Sequence, residues 1–253
     1  MKEKQLAIKV AKAAGEELKK LFYSRRVKTV AKSKHEIVTT ADLLAEKIII
    51  KEIKKTFPNH KILSEESGLT ENTSDYLWII DPLDGTTNFF MHNPIFSVAI
   101  ALLYKKETIL AVTYAPIIDE LYVAEKGKGV TVNNKKIKAA TRNKLSESYL
   151  TFCHGNKDEN INKAISIYKT LKKEGRDFRQ LGSAAIELAY VARGITDCIL
   201  IPGALSWDVA GGILMVREAG GKVTDFKNKK WTLDSKDMLA SNGKIHNQLL
   251  KRV

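Results

Sequence analysis

The stretch Trp78-Ile79-Ile80-Asp81-Pro82-Leu83-Asp84-Gly85-Thr86-Thr87-Asn88-Phe89 decides how the rest of the chain is read. Three large apolar residues lead into an acid, which is how a buried strand reaches its end. Pro82 keeps Asp81 extended, and Gly85 permits a sharp turn shortly after it. Two carboxylates are therefore expected side by side, beyond the strand end. Crowded carboxylates repel and raise one another's pKa, and a hard divalent cation sharing their oxygens keeps both ionised. Gly85, Thr86 and Thr87 then offer consecutive backbone N–H groups and hydroxyls at a helix start, a pattern that suits a phosphate.

Working outward, two more acidic elements can converge on that point. Ser64-Glu65-Glu66-Ser67-Gly68 follows a short strand at Lys61–Leu63, and Ser206-Trp207-Asp208-Val209-Ala210-Gly211-Gly212 opens a late helix with an acid in its first turn. Alone, Asp208 reads as a helix N-terminal acid and Glu65-Glu66 as a solvated loop. The paired acids with their glycine and threonines do not read as a plain turn. Around them, Leu6, Val10, Ala14 and Leu18 recur at helical spacing over Glu3–Phe22, and a second helix is predicted from Thr40 to Thr56, stopped by Pro58-Asn59. Strands are predicted at Tyr76–Ile80, Ile95–Tyr104, Thr108–Ala115 and Leu121–Ala124. Past a polar stretch to about Ser148, helices are predicted at Asn160–Lys173, Ser183–Arg193, Trp207–Ala219 and from Ile245. They alternate with strands at Tyr149–Phe152, Asp197–Ile201, Lys222–Asp225 and Met238–Ala240. The simplest architecture has a helix-flanked sheet in each half, residues 1–144 and 145–253, tightly packed with the site at their junction.

Taken together, these elements resemble the inositol monophosphatase family, part of the Mg2+-dependent, lithium-sensitive phosphatases that include fructose-1,6-bisphosphatases. Asp81–Phe89 resembles the family's first signature, and Trp207-Asp-Val-Ala-Gly-Gly212, running on to Glu218-Ala219-Gly220-Gly221, resembles its second. Val38-Thr39-Thr40-Ala41-Asp42, Glu65-Glu66-Ser67 and Gly182-Ser183-Ala184-Ala185 fall in the family's order, so the resemblance covers nearly the whole chain. It implies an α+β fold, a layered α-β-α-β-α sandwich, and hydrolysis of a phosphate monoester with two to three Mg2+ ions, Mn2+ being a substitute. It would give Glu65, Asp81, the Leu83 carbonyl, Asp84 and Asp208 to the metals, and Glu65, Thr86 and Asp84 to catalysis, Thr86 and Glu65 positioning the attacking water. Asp84, Gly85, Thr86, Arg179, Ser183, Ala184 and Asp208 would contact substrate. Asp42 and Glu66 are candidates for a third metal or for holding the ligands in place. A homodimer is also implied.

Substrate choice is less sharply written. The resemblance places an inositol-binding acid seven positions before Asp208, where this chain has Ile201, which cannot accept hydrogen bonds from hydroxyls. Arg179 resembles an arginine that holds a second phosphate in fructose-1,6-bisphosphate, but no second arginine occurs in Asp197–Ser206. The reading is a broad sugar- or polyol-phosphate phosphatase with inositol-1-phosphate favoured; a fructose-1,6-bisphosphatase or dual-specificity enzyme is the alternative, and a 3′-phosphoadenosine-5′-phosphate phosphatase a further one. Aspartyl-phosphate phosphatases carry Asp-x-Asp-Gly-Thr near the N-terminus. Here the acids are three apart, which argues against an aspartate nucleophile.

Composition supplies the exclusions. The chain has 253 residues, 44% of them hydrophobic and 28% charged, as in folded globular proteins. No apolar run approaches the roughly 20 residues of a membrane span, so the expectation is a cytoplasmic protein without membrane contact. Cys153 and Cys198 are too few for a disulfide framework and read as core residues. A net charge of +13 invites nucleic acid, but 34 of the 42 basic residues are Lys, scattered singly or in pairs, with no recognition motif. A lysine-rich solubilising surface and a small phosphorylated partner are the better reading.

Overall fold

The computed structural model of the chain describes residues 2–24, 29–33, 36–70 and 72–253. Helix α1 (Lys2–Ser24) buries Leu6, Val10, Ala14 and Leu18, one residue per turn on one face. A two-stranded antiparallel ribbon, β1 (Thr29–Ser33) and β2 (Glu36–Thr39), separates it from α2 (Thr40–Thr56). A capping box fixes where α2 starts: Thr39 Oγ1 accepts from the Ala41 N–H at 3.0 Å, and Asp42 Oδ2 accepts from the Thr39 N–H at 2.8 Å.

The first large sheet contains β3 (Lys61–Ser64), β4 (Gly68–Leu69), β5 (Tyr76–Asp84), β6 (Ser97–Tyr104), β7 (Glu107–Ala115), β8 (Glu120–Glu125), β9 (Gly129–Val132) and β10 (Lys135–Lys136), in the order β10-β9-β8-β7-β6-β5-β3-β4. Short helix α3 (Thr86–Phe90) follows β5. Only β3 and β5 run parallel, which brings the ends of both to the same edge. The polar stretch after Val132 closes a hairpin, with Asn133 and Asn134 at φ 46 and 64, the left-handed geometry that tight hairpin turns favour.

A second sheet, order β12-β11-β13-β15-β14, is built from β11 (Tyr149–Phe152), β12 (Asp177–Arg179), β13 (Cys198–Pro202), β14 (Lys222–Thr224) and β15 (Asp237–Ser241). Its helices are α4 (Asp158–Glu174), α5 (Ala184–Arg193), α6 (Ser206–Glu218) and α7 (His246–Leu250).

Alternation along the strands sets the layers. On β6, Val98, Ile100 and Leu102 face the core formed with α1 and α2, while Ala101 and Leu103 join Ala210 of α6 on the other face. On β13, Ile199 and Ile201 pack with α5 and α6, while Cys198 and Leu200 pack with Ile167 and Leu171 of α4 and Leu249 of α7. Helices α5 and α6 thus lie between the two sheets, and α1/α2 and α4/α7 cover the outer faces. This is the expected α+β sandwich.

Candidate functional site

The two motif acids do not simply follow a strand end; they sit inside β5. Asp81 pairs with Ala99 and Asp84 with Ser97, so β5 spends one residue more than β6 over the same span. That is a β-bulge, and Pro82, lacking an N–H to give the ladder, falls within it. The strand predicted to end at Ile80 runs on to Asp84 because the bulge accommodates Pro82. The Leu83 N–H turns back to Asp81 Oδ1 at 3.0 Å. Gly85 follows at φ 90, ψ 38, and a Cβ there would stand 3.0 Å from the Ile95 carbonyl and 3.2 Å from that of Gly182. Only glycine fits both the backbone and the space.

These turns open onto a cavity of about 510 Å3. Glu65 reaches it from the turn after β3, Asp81 and Asp84 from the bulge, and Asp208 from the first turn of α6; Gly85, Thr86 and Ala184 share the wall. Among the described residues no lysine or arginine lines it. Burial pushes the Asp81 pKa well above the carboxylate range, and the charges of Glu65, Asp84 and Asp208 push it further the same way. Asp84 is raised to about 6 by burial, held down by hydrogen bonds from α5. The Ala184 N–H donates to Asp84 Oδ1 and the Ala185 N–H to Oδ2, each at 3.0 Å, and the Ser183 hydroxyl donates to Oδ2. A carboxylate thus caps a helix from a segment one hundred residues distant, and Oδ1 keeps lone-pair capacity for another partner.

Asp42, buried beneath Thr86, completes a second arrangement. The Thr86 hydroxyl lies 3.0 Å from Asp42 Oδ1 and 3.0 Å from the Leu83 carbonyl, and Asp42 Oδ2 takes the Thr39 N–H and hydroxyl. Burial raises the Asp42 pKa. Glu66 does not line the cavity, and Glu46 of α2 pins the same turn by accepting from the Ser67 N–H at 3.0 Å.

Other candidates fall elsewhere. Arg179 is largely exposed, outside the cavity wall, and its guanidinium donates to Asp177 at 2.5 Å; the two residues stand on the same face of β12, two apart. Ser183 gives its hydroxyl to Asp84 and does not line the cavity. Ile201 is buried between the sheets. Cys198 is a core residue as expected, but Cys153 is not only that: it lines the cavity, and its thiol donates to Glu187 Oε1 at 3.1 Å. Burial and Glu187 push the Cys153 pKa up.

Two residues escaped the sequence reading. Asn88, inside the decisive stretch, donates to the Ile95 carbonyl at 2.7 Å and the Leu181 carbonyl at 2.8 Å, tying the motif to the loop before α5. Glu187 accepts from the Leu181 and Gly182 N–H groups at 3.0 Å each. Its signal was there: a single acid in Ala184-Ala-Ile-Glu-Leu-Ala-Tyr-Val-Ala192.

The donors offered to a metal are all oxygens, and the buried Asp81 stands among three like charges, which suits a hard divalent cation. Among the described residues no three such side chains are already drawn into a closed cluster.

The inositol monophosphatase family model matches residues 2–253. The chain belongs to the inositol monophosphatase family. Members of this family are generally Mg2+-dependent. Nus factor SuhB of Pasteurella multocida is 38% identical over 98% of this chain and 94% of its own length. The crystal structure of extragenic suppressor protein suhB from Bartonella henselae superposes with a TM-score of 0.95, at 33% identity, covering 100% of this chain and 98% of that one. The Thermotoga maritima IMPase gives 0.91 at 35% identity, covering 99% and 96%. Among the described residues no helix is long and apolar enough to cross a membrane.

Proposed function

We propose that this chain hydrolyses a phosphate monoester of a sugar or polyol, inositol-1-phosphate favoured, with two to three Mg2+ ions held by Glu65, Asp81, the Leu83 carbonyl, Asp84 and Asp208. The observation that carries this reading is the convergence of four carboxylates on one cavity to whose wall no lysine or arginine among the described residues contributes. An anionic substrate is repelled from such a wall, and bound cations reverse the sign. When bound, they lower the pKa of a water and neutralise charge on the phosphoryl oxygens.

The chain's own residues divide the remaining work. Thr86 gives its proton toward Asp42, which leaves its oxygen lone pairs to accept a proton from the attacking water. Asp42, its pKa raised by burial, is the better able to take up that proton in turn. Glu65, on the same cavity wall, would help hold that water. Gly85 places the backbone N–H groups at the start of α3 against the phosphate, a position no side chain at residue 85 would allow. Asp84 is kept in place by α5, so the phosphate and the metal ligands share one rigid frame.

The Ile201 side chain is buried and Arg179 is turned away, so neither inositol hydroxyls nor a second phosphate gains a charged contact from these positions. That supports a monophosphate with loosely read hydroxyls. Phosphate release from inositol-1-phosphate, fructose-1,6-bisphosphate, 3′-phosphoadenosine-5′-phosphate and glycerol phosphate, with and without Mg2+ and Li+, tests the proposal. Mg2+-dependent, Li+-inhibited release favouring inositol-1-phosphate is expected. Absence of release from all four, or release indifferent to Mg2+, overturns it and leaves a binding role, as the Nus factor name of the Pasteurella relative would suggest.

A further inference from the structure

A second cavity, about 350 Å3, opens at the other end of α6, between that helix, the β6–β7 turn and the Lys230–Asp234 loop. Its side chains are of two kinds. Leu103, Ile213 and Leu233 join the Trp231 indole in an apolar wall, and Arg217, in the last turn of α6, brings a positive charge to it.

Arg217 is the anomaly. It is partly buried, yet its guanidinium, with five donor hydrogens, donates no hydrogen bond to any described residue and makes no ion pair with one. A desolvated guanidinium ordinarily finds a carboxylate or carbonyl. Burial pulls its pKa down, and the charge of Glu107 restores only part of that. Glu107 itself is exposed, and its carboxylate is occupied by Lys126 at 2.7 Å. The remaining charges at this cavity, Lys106, Lys230 and Asp234, are all exposed. The C-terminal end of a helix favours a cation, but that effect supplies the guanidinium with no acceptor among the described side chains.

We propose that this cavity binds a small organic oxyanion, one carboxylate or phosphate on an aromatic or branched apolar body. The oxyanion would take the planar fork of Arg217, with Lys106 and Lys230 attracting it, and the body would lie against Leu233 and the open edge of Trp231, Leu103 and Ile213 being already buried. The requirement for both parts follows from the wall: inorganic phosphate alone would leave the apolar surface wet, and a neutral ring would leave Arg217 without a partner.

The chain has three tryptophans, Trp78, Trp207 and Trp231, so an indole N–H spectrum of the 15N-labelled protein has three signals. Trp78 donates to His60 at 3.1 Å, away from both cavities, and serves as the control; Trp207 lines the carboxylate cavity and reports binding there. The metal-free protein is titrated with indole-3-acetate, phenylphosphonate, indole-3-acetamide and inorganic phosphate. Indole-3-acetate or phenylphosphonate should move the Trp231 signal saturably with Trp207 and Trp78 unmoved. The amide should bind at least about tenfold more weakly, as should inorganic phosphate. Arg217→Gln should weaken binding by a similar factor, and Arg217→Lys, which keeps the charge without the fork, by less. No saturable shift at Trp231, equal binding of acid and amide, or a shift confined to Trp207 would overturn the proposal. The acid–amide comparison uses the unaltered protein, so it stands even if a variant fails to fold.

Discussion

Replacing Glu187 by Gln should stabilise the metal-free protein at alkaline pH and leave it nearly unchanged in acid. Glu187 is buried in α5, with Oε1 accepting from Leu181 N–H, Gly182 N–H and the Cys153 thiol, and Oε2 without a hydrogen-bond partner. Thr151 lies close enough to temper the charge, but its hydroxyl donates to the Cys198 carbonyl at 3.2 Å. Burial raises the Glu187 pKa from the ordinary 4.5 to about 7. At about 1.36 kcal/mol per pH unit, that rise of about 2.5 units costs the fold about 3 kcal/mol once the group is ionised. The folded-state pKa is the higher one, so this contribution is intact below pH 4.5, declines as the pH rises, and is gone above pH 7. Glutamine keeps the acceptor for the two N–H groups and never ionises. Thermal unfolding followed by circular dichroism in EDTA should show matching midpoints at pH 4.5 and a variant about 6–12 °C more stable at pH 8.5, taking about 2–4 °C per kcal/mol for a chain of this size. A difference in midpoint that does not change with pH would refute the account of Glu187 as a buried, destabilised carboxylate.

Asp81→Asn should raise the midpoint of the metal-free protein by removing a buried charge from among three others, while lowering Mg2+-dependent turnover roughly a hundredfold or more; a less stable variant with normal turnover would contradict both roles. Calorimetric Mg2+ titration should show affinity falling below pH 6, because protons compete for Asp84, whose pKa is about 6; Asp84 alone should weaken binding roughly fourfold at pH 5.5, and equal affinity at pH 5.5 and 7.5 would exclude it as a ligand. Gly85→Ala should cost about 1–2 kcal/mol from the left-handed backbone, and more from contact with the Ile95 and Gly182 carbonyls, read as a drop in urea midpoint with turnover lost disproportionately.

The elements with strong periodicity were legible before the structure. Helix α2 occupies the predicted Thr40–Thr56, and α1, α4, α5 and α6 lie within two residues of expectation at each end. Their apolar faces and caps are local signals. The ribbon β1–β2 and strand β12 were not found, because short strands take their stability from partners that a local window does not contain. The four carboxylates were legible as residues, but the bulge that orients two of them depends on the register of β5 against β6. The resemblance gives Arg179 to a second phosphate, whereas the structure pairs it with Asp177, two residues away in the sequence, and leaves it off the cavity wall. Cys153 was misjudged for a different reason: β11 places it at a strand end facing the cavity, and its partner Glu187 lies thirty-four residues on.

The net charge of +13 and the acidic cavity make opposite demands, and the fold meets them through separate devices for the two motif acids. Asp84 is compensated from within: the Ala184 and Ala185 N–H groups open α5 and the Ser183 hydroxyl caps it, so most of that acid's donors arrive when the later half of the chain docks on the earlier one, the Ser97 hydroxyl of β6 adding a longer contact at 3.4 Å. Asp81 has no such donors apart from the Leu83 N–H, and its neighbours Glu65 and Asp208 add to its burden. Among the described residues no lysine or arginine lines the cavity wall to relieve it. The lysine surface can draw phosphorylated molecules toward the protein, an effect that salt screens, but it cannot admit them to the cavity. Admission depends on the charge at Asp81 being answered locally, which makes that residue, rather than the overall charge, the point on which the proposed chemistry turns.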